Sequence, residues 1–211
     1  ALFRDSRWPG IADIIRPTIA NGAVRCRAPA PDPVPPEDSM SDRETVFDGR
    51  VIRVDVEQVL LPNGHTARYE IVRHPGGAAV VALDAEDRIC LLRQYRPAGG
   101  GWVWELPAGR LEPGEPPDLT ASRELLEEAG CEAAEWQSLG SILSSPGVFA
   151  ETIHLYLARG LTQRESRHEQ HEVIEVHWIA LAEAARQAAD GTLRDGKTVI
   201  GIMRAAARLA E

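Results

Sequence analysis

AGRLEPGEPPDLTASRELLEEAGC, residues 108–131, decides how this chain folds. Residues 117–129 carry helical periodicity, because Leu119, Leu125, Leu126 and Ala129 cannot all belong to a strand, and Gly130 stands where a glycine stops a helix. At about 100° per residue, Glu124, Glu127 and Glu128 fall on one face. Leu125 and Ala129 lie toward another, with Leu126 and Leu119 helping to cover the core. The acidic face then points away from the packing face, toward a ligand. Like charges at i and i+4 repel by roughly a few tenths of a kcal/mol, so something must offset the cost. Three carboxylates at this spacing make an oxygen-rich pocket suited to Mg2+ or Mn2+, and a bound cation would remove the penalty. A solvated acidic face is the ordinary alternative for clustered glutamates; the surrounding residues decide between them.

Upstream, RVIRVDVEQVLL (50–61) alternates with period two, PNGH (62–65) carries an Asn-Gly turn, and TARYEIVRH is the return strand. A second hairpin follows, with a buried strand over 78–83, a turn at 84–87 and a strand over 88–94. WVWEL (102–106) is a short strand. Downstream, strands are expected at about 134–143, 152–160 and 172–180. Two helices end the chain, LAEAARQAADG and DGKTVIGIMRAAARLAE. This order predicts an α/β (α+β) fold, a mixed sheet flanked by helices.

Residues 1–39 differ. APAPDPVPPEDS (28–39) is Pro-rich and reads as an extended linker. Two readings stay open: Met40 is the natural start, or the upstream residues form an arm that docks on the body or on a partner. The expected division is an extension over 1–39, an N-terminal β region over 40–76 and a main domain over 77–211.

The box segment carries a pattern. Gly109, Glu115, Arg123, Glu124, Leu125, Glu127, Glu128, Gly130 and Cys131 fill the slots of G-x5-E-x7-R-E-U-x-E-E-x-G-U, where U is bulky and apolar and Cys131 is the weakest match. This resembles the Nudix box of the Nudix hydrolase family. The resemblance implies an α/β/α sandwich with a mixed sheet, and metal-dependent hydrolysis of a nucleoside diphosphate linked to another group. It implies Glu124 and Glu128 as principal metal ligands, Glu127 as a ligand or a helper in water activation, and the backbone carbonyl of Ala108 completing the site. Arg123 would hold Glu115 or Glu124 in its rotamer, supporting the ligands from behind. The chemistry is consistent: a diphosphate repels hydroxide, and divalent ions neutralise its oxygens and activate water. An acidic protein can thereby act on an acidic substrate.

Outside the box, Pro146 in SSPGVFAETIHLYLA, the run LLRQYRP (91–97) and WVWELPAGRLEPGE (102–115) resemble the ADP-ribose pyrophosphatase subgroup. In that subgroup the N-terminal β region exchanges with a second subunit and builds the substrate pocket, which implies a homodimer. Arg96 would point a cation at the diphosphate, with a surface salt bridge as its plain alternative. Arg68 and Glu70 could reach the partner's nucleotide or form a cross-strand ion pair. One of Trp102 and Trp104 is expected in the core. The general base would lie on the loop RESRHEQHEVIEV (164–176), with Glu169 and Glu172 as candidates. ADP-ribose cleaved to AMP and ribose 5-phosphate is the leading reading. Another nucleotide sugar such as GDP-mannose, or another ADP-linked compound, is the runner-up, and a non-catalytic nucleotide-sugar sensor the minor one.

Bulk properties agree. With 211 residues, 44% hydrophobic and 26% charged, the chain can bury a sizeable core. A net charge of −9 argues against nucleic-acid or anionic-membrane binding. Cys26, Cys90 and Cys131 have no CxxC spacing, which fits a reducing cytoplasm rather than disulfides or zinc. No apolar run reaches transmembrane length, and IADIIRPTIANGAV is broken by Asp13, Arg16 and Pro17, unlike a signal peptide.

Overall fold

GAAVVA, residues 77–82, is apolar at nearly every position because both of its faces are covered. The computed structural model describes residues 43–166 and 173–210. This strand, β4 (Gly77–Ala82), sends Ala79 and Val81 to one core cluster and Ala78, Val80 and Ala82 to another. Helix α1 (Pro117–Ala129) closes the second cluster with Ala121, Leu125 and Ala129. Helices α2 (Leu181–Ala189) and α3 (Gly196–Leu209) close the first with Leu181, Ala184, Ala185, Ile202 and Ala205. The result is the expected α/β/α sandwich.

The strands before β4 are β1 (Arg43–Asp48), β2 (Arg53–Leu60) and β3 (Thr66–Arg73), an antiparallel meander. After it come β5 (Arg88–Arg96), β6 (Gly101–Glu105), β7 (Ala108–Arg110), β8 (Cys131–Ser145), β9 (Phe149–Gln163) and β10 (Ile174–Ala180). Strand β9 pairs antiparallel with β8 and parallel with both β4 and the end of β3. Val72 opposite Phe149 and Arg73 opposite Ala150 make the N-terminal meander continuous with the central sheet. Strands β10, β5 and β6 form a second, antiparallel sheet.

Several expectations shift. Leu119 is 57% exposed and covers no core. β8 and β9 run to 15 residues each, because they pair with one another beyond their apolar stretches. A short strand, β7, adds to the expected elements by pairing with Gly77–Ala79. In β2 the alternation inverts: Asp55 and Glu57 are fully buried, while Val54 and Val56 are only half-buried. Thr45, Arg53 and Arg73 bind Asp55, and Arg43 and Arg73 bind Glu57, so the buried carboxylates are paired with charges. Among the described residues no helix is long and apolar enough to cross a membrane.

Candidate active site

The site begins with how α1 starts and stops. Pro117 sits in its first turn, where a missing N–H costs nothing, and Gly130 ends it with φ 61°. A side chain at Gly130 would also meet the Arg164 carbonyl oxygen at 2.8 Å. The apolar face of α1 packs on β4, and its acidic face lies against β7, which pairs Ala108 with Ala79 and Gly109 with Ala78. Glu124 and Glu128 are therefore buried rather than solvated, at 9% and 3% exposure. The acidic face was expected to stand clear of packing; it packs on backbone instead.

The backbone admits it only because residue 109 is glycine. A Cβ there would fall 1.9 Å from Glu124 Oε1. One turn on, Glu128 Oε2 accepts the Ala108 N–H at 2.8 Å. The charge repulsion along the helix is met by Arg123. Its Nη1 donates to Glu124 Oε1 at 2.6 Å and to Glu127 Oε2 at 3.2 Å. Its other edge grips Glu115, Nε to Oε1 at 3.0 Å and Nη2 to Oε2 at 2.9 Å. So Arg123 holds Glu115 and Glu124 together, where sequence left the choice open. Thr120 Oγ1 adds a bond to Glu115 Oε2 at 2.7 Å. Led by the Arg123 hydrogen bonds, these contacts hold the Glu115 carboxyl down at about 2, and Glu115 in turn raises the Arg123 guanidinium.

Glu124, Glu127 and Glu128 line a cleft of about 670 Å3 together with Ala108, Gly109 and Arg123. Among the described residues no three His, Cys, Asp or Glu side chains are gathered into a ready metal site. The donor set nonetheless fits a hard divalent cation. It is made of carboxylate oxygens beside backbone, in a cradle that a Cβ at position 109 would fill. Such an ion would be held by Glu124 and Glu128, with Glu127 and the Ala108 carbonyl at hand.

The opposite wall is cationic. Arg96 lines the cleft and also donates Nε and Nη2 to Glu105 at 2.9 and 3.2 Å. Arg96 thus lines the cleft while paired with a buried carboxylate rather than in a surface salt bridge. Lys197, which the sequence reading passed over, lines the same wall and reaches Glu105 Oε2 at 2.6 Å. Burial pushes the Glu105 carboxyl up, but the Lys197 charge and the Arg96 hydrogen bonds outweigh it and leave it below the usual range. His74 and Glu151, 3.1 Å apart, face the cleft as well. Lys197 and His74 are marked only by their neighbours in space, whereas Glu151 belongs to the SSPGVFAE stretch that the sequence singled out around Pro146.

Arg68, Glu70, Pro146, Trp102 and Trp104 do not line this cleft. Arg68 and Glu70 are exposed on β3, and Arg68 lies 3.7 Å from Glu44 of β1, an ion pair between strands. Pro146 sits in the exposed turn between β8 and β9, closed by the Val148 N–H to the Ser145 carbonyl at 3.1 Å, and shapes that turn without lining the cleft. Trp104 packs on the core, while Trp102 is 40% exposed with Arg93 over its ring. Glu169 and Glu172 lie outside the described residues.

The profile of the NUDIX domain matches residues 72–199. Over 170 residues the chain is 42% identical to the methanol dehydrogenase activator of Bacillus methanolicus, covering 79% of this chain and 91% of that protein. Over 163 residues it is 38% identical to the ADP-ribose pyrophosphatase of Mycobacterium tuberculosis, covering 76% of this chain and 79% of that protein. The crystal structure of an ADP compounds hydrolase shares the fold with a TM-score of 0.70 at 23% identity, covering 81% of this chain and 92% of that one. With the profile running through β4, α1 and the start of α3, and with every glutamate of the box in place, the chain belongs to the Nudix hydrolase family.

Proposed function

We propose that this protein hydrolyses ADP-ribose to AMP and ribose 5-phosphate with the help of Mg2+, Mn2+ being an alternative ion. The observation that carries the reading is the pair of buried carboxylates, Glu124 and Glu128, fixed by Arg123 and by the Ala108 amide on the floor of a cleft. It stands in a chain similar along three quarters of its length to an ADP-ribose pyrophosphatase.

In this reading Glu124, Glu128 and the Ala108 carbonyl hold the metal, and Glu127 stands at its edge. When bound, divalent ions supply charge neutralisation of the diphosphate and a lowered pKa for the attacking water. Water adds to one phosphorus, the bridging P–O bond breaks, and two phosphate monoesters leave. The proton lost by water goes to a carboxylate base, for which Glu169 and Glu172 are the candidates. Arg96 faces the diphosphate from the opposite wall. Arg68 and Glu70, exposed on the meander, would serve the cleft of a second copy, as a homodimer requires. Pro146 shapes the turn that leads to Glu151. The division into an extension (1–39), a β region (40–76) and a Nudix domain (77–211) belongs to the same proposal, as does a cytoplasmic location, for which the free, buried Cys90 and Cys131 are the support.

The test is a substrate panel of ADP-ribose, GDP-mannose, NADH and a diadenosine polyphosphate, read as kcat/KM by phosphate-product analysis. ADP-ribose should lead. A larger kcat/KM for GDP-mannose or another member would replace the substrate assignment and keep the chemistry.

A further inference from the structure

Glu105 is an acid in an unusual position. It is only 4% exposed, ends β6, and stands three residues before Ala108. Two cations share it, and both line the cleft: Arg96 from β5 and Lys197 from the first turn of α3. Lys197 is itself held. Its Nζ lies 3.0 Å from Asp195 Oδ2, and its side chain is 14% exposed. Asp195 caps α3, accepting the Thr198 N–H at 3.0 Å and the Thr198 hydroxyl at 2.6 Å. Thr198 Oγ1 then accepts the Leu106 N–H at 2.9 Å. The first turn of α3 is thus clamped twice to the segment that runs from Glu105 into β7.

An arginine side chain is long and flexible, and holding it in one orientation costs entropy unless a planar partner fixes it. Glu105 is that partner, taking the Nε and Nη2 edge of Arg96 with both of its oxygens. A buried carboxylate bound to one cation only would be free to follow it toward the solvent. Lys197, at 2.6 Å from Oε2, ties the carboxylate to the helix instead.

We propose that Lys197 is a positioning residue: acting through Glu105, it fixes the Arg96 guanidinium toward the cleft and thereby sets the affinity for the anionic diphosphate. This rests on the reading above, in which Arg96 meets the diphosphate. The effect belongs to binding. It should appear in KM and in the affinity for ADP more than in kcat, since the carboxylates of α1 are untouched.

The experiment compares wild type with Lys197→Met, Lys197→Arg, Glu105→Gln and the Lys197→Met/Glu105→Gln double variant. It reads steady-state kinetics on ADP-ribose, and ADP binding by equilibrium titration in Mg2+. Thermal melts identify variants that keep the fold. Lys197→Met should weaken ADP binding and raise KM by about tenfold, with a smaller change in kcat, as loss of a charge-assisted contact predicts. Lys197→Arg should recover most of the loss, and the double variant should be no worse than Glu105→Gln alone, because one path carries both effects. Unchanged ADP affinity in a folded Lys197→Met, equal losses in kcat and KM without rescue by arginine, or additive losses in the double variant would each overturn the proposal. If Lys197→Met does not fold, Lys197→Arg and Glu105→Gln carry the comparison: Glu105→Gln must weaken ADP binding and Lys197→Arg must not. Wild type that binds ADP but leaves ADP-ribose intact defeats the substrate assignment while the Lys197 effect on ADP affinity still stands. Wild type that binds no ADP defeats the proposal about Lys197.

Discussion

A single missing Cβ at Gly109 lets the Glu124 carboxylate lie against β7, since a methyl group would stand 1.9 Å from Oε1. Gly109→Ala should therefore displace Glu124. Activity is expected to fall about a hundredfold, the usual cost of misplacing a catalytic group by about 1 Å. Stability should drop by only about 1–3 kcal/mol, so melting curves beside kcat/KM separate the two effects. Glu115 gives a pH prediction. Its carboxyl lies at about 2 against an ordinary 4.5, chiefly because Arg123 hydrogen-bonds its charged form. A lowered folded pKa stabilises the protein above the unfolded value. Discounted for solvent screening, on the order of 1–2 kcal/mol should then be lost as pH falls from about 4.5 toward 2. Glu115→Gln should be less stable at neutral pH and flatter across that window. An unchanged acid profile in the variant would show that the Glu115–Arg123 bond does not operate. Glu115, Arg123 and Glu124 were legible in the sequence, because their spacing is local. Glu105 and Lys197 were not, because 92 positions separate them along the chain and only the fold brings them together.

At the scale of elements, α1 decides the matter. Its C-terminal end was legible from Gly130, since glycine takes the left-handed backbone angle that closes a helix. Its faces were only partly so. Leu125 is fully buried and Leu119 is 57% exposed, although both looked like core residues. In the first turn of α1 it is Thr120 and Ala121 that turn inward, so Leu119 faces outward. Leu125→Ala should cost about 2–5 kcal/mol and Leu119→Ala less than about 0.5 kcal/mol by denaturant unfolding. Equal costs would mean that the helix is rotated from the orientation described. The β2 strand shows a second limit of periodicity. Alternation revealed that its two faces differ, but the buried face carries Asp55 and Glu57. Thr45 and the arginines of β1, β2 and β3, assembled by pairing, make that burial tolerable.

The whole molecule leaves apolar surface on this meander. Val46, Phe47, Val51 and Leu60 are 53%, 53%, 45% and 72% exposed. With Arg68 and Glu70 also outward, the meander is the face on which the proposed second copy would dock. Light scattering should give twice the mass of the 23.0 kDa chain, and a monomer at working concentration would remove the role proposed for Arg68 and Glu70. The central claim concerns the cleft, where a divalent ion held by the α1 carboxylates drives diphosphate hydrolysis. Its most direct test is AMP release from ADP-ribose by wild type and by Glu128→Gln, each with and without Mg2+. The account predicts AMP and ribose 5-phosphate from wild type only with the metal, and a rate at least about a hundredfold lower from a folded Glu128→Gln. Metal-independent release, or a Glu128→Gln protein as active as wild type, would contradict it.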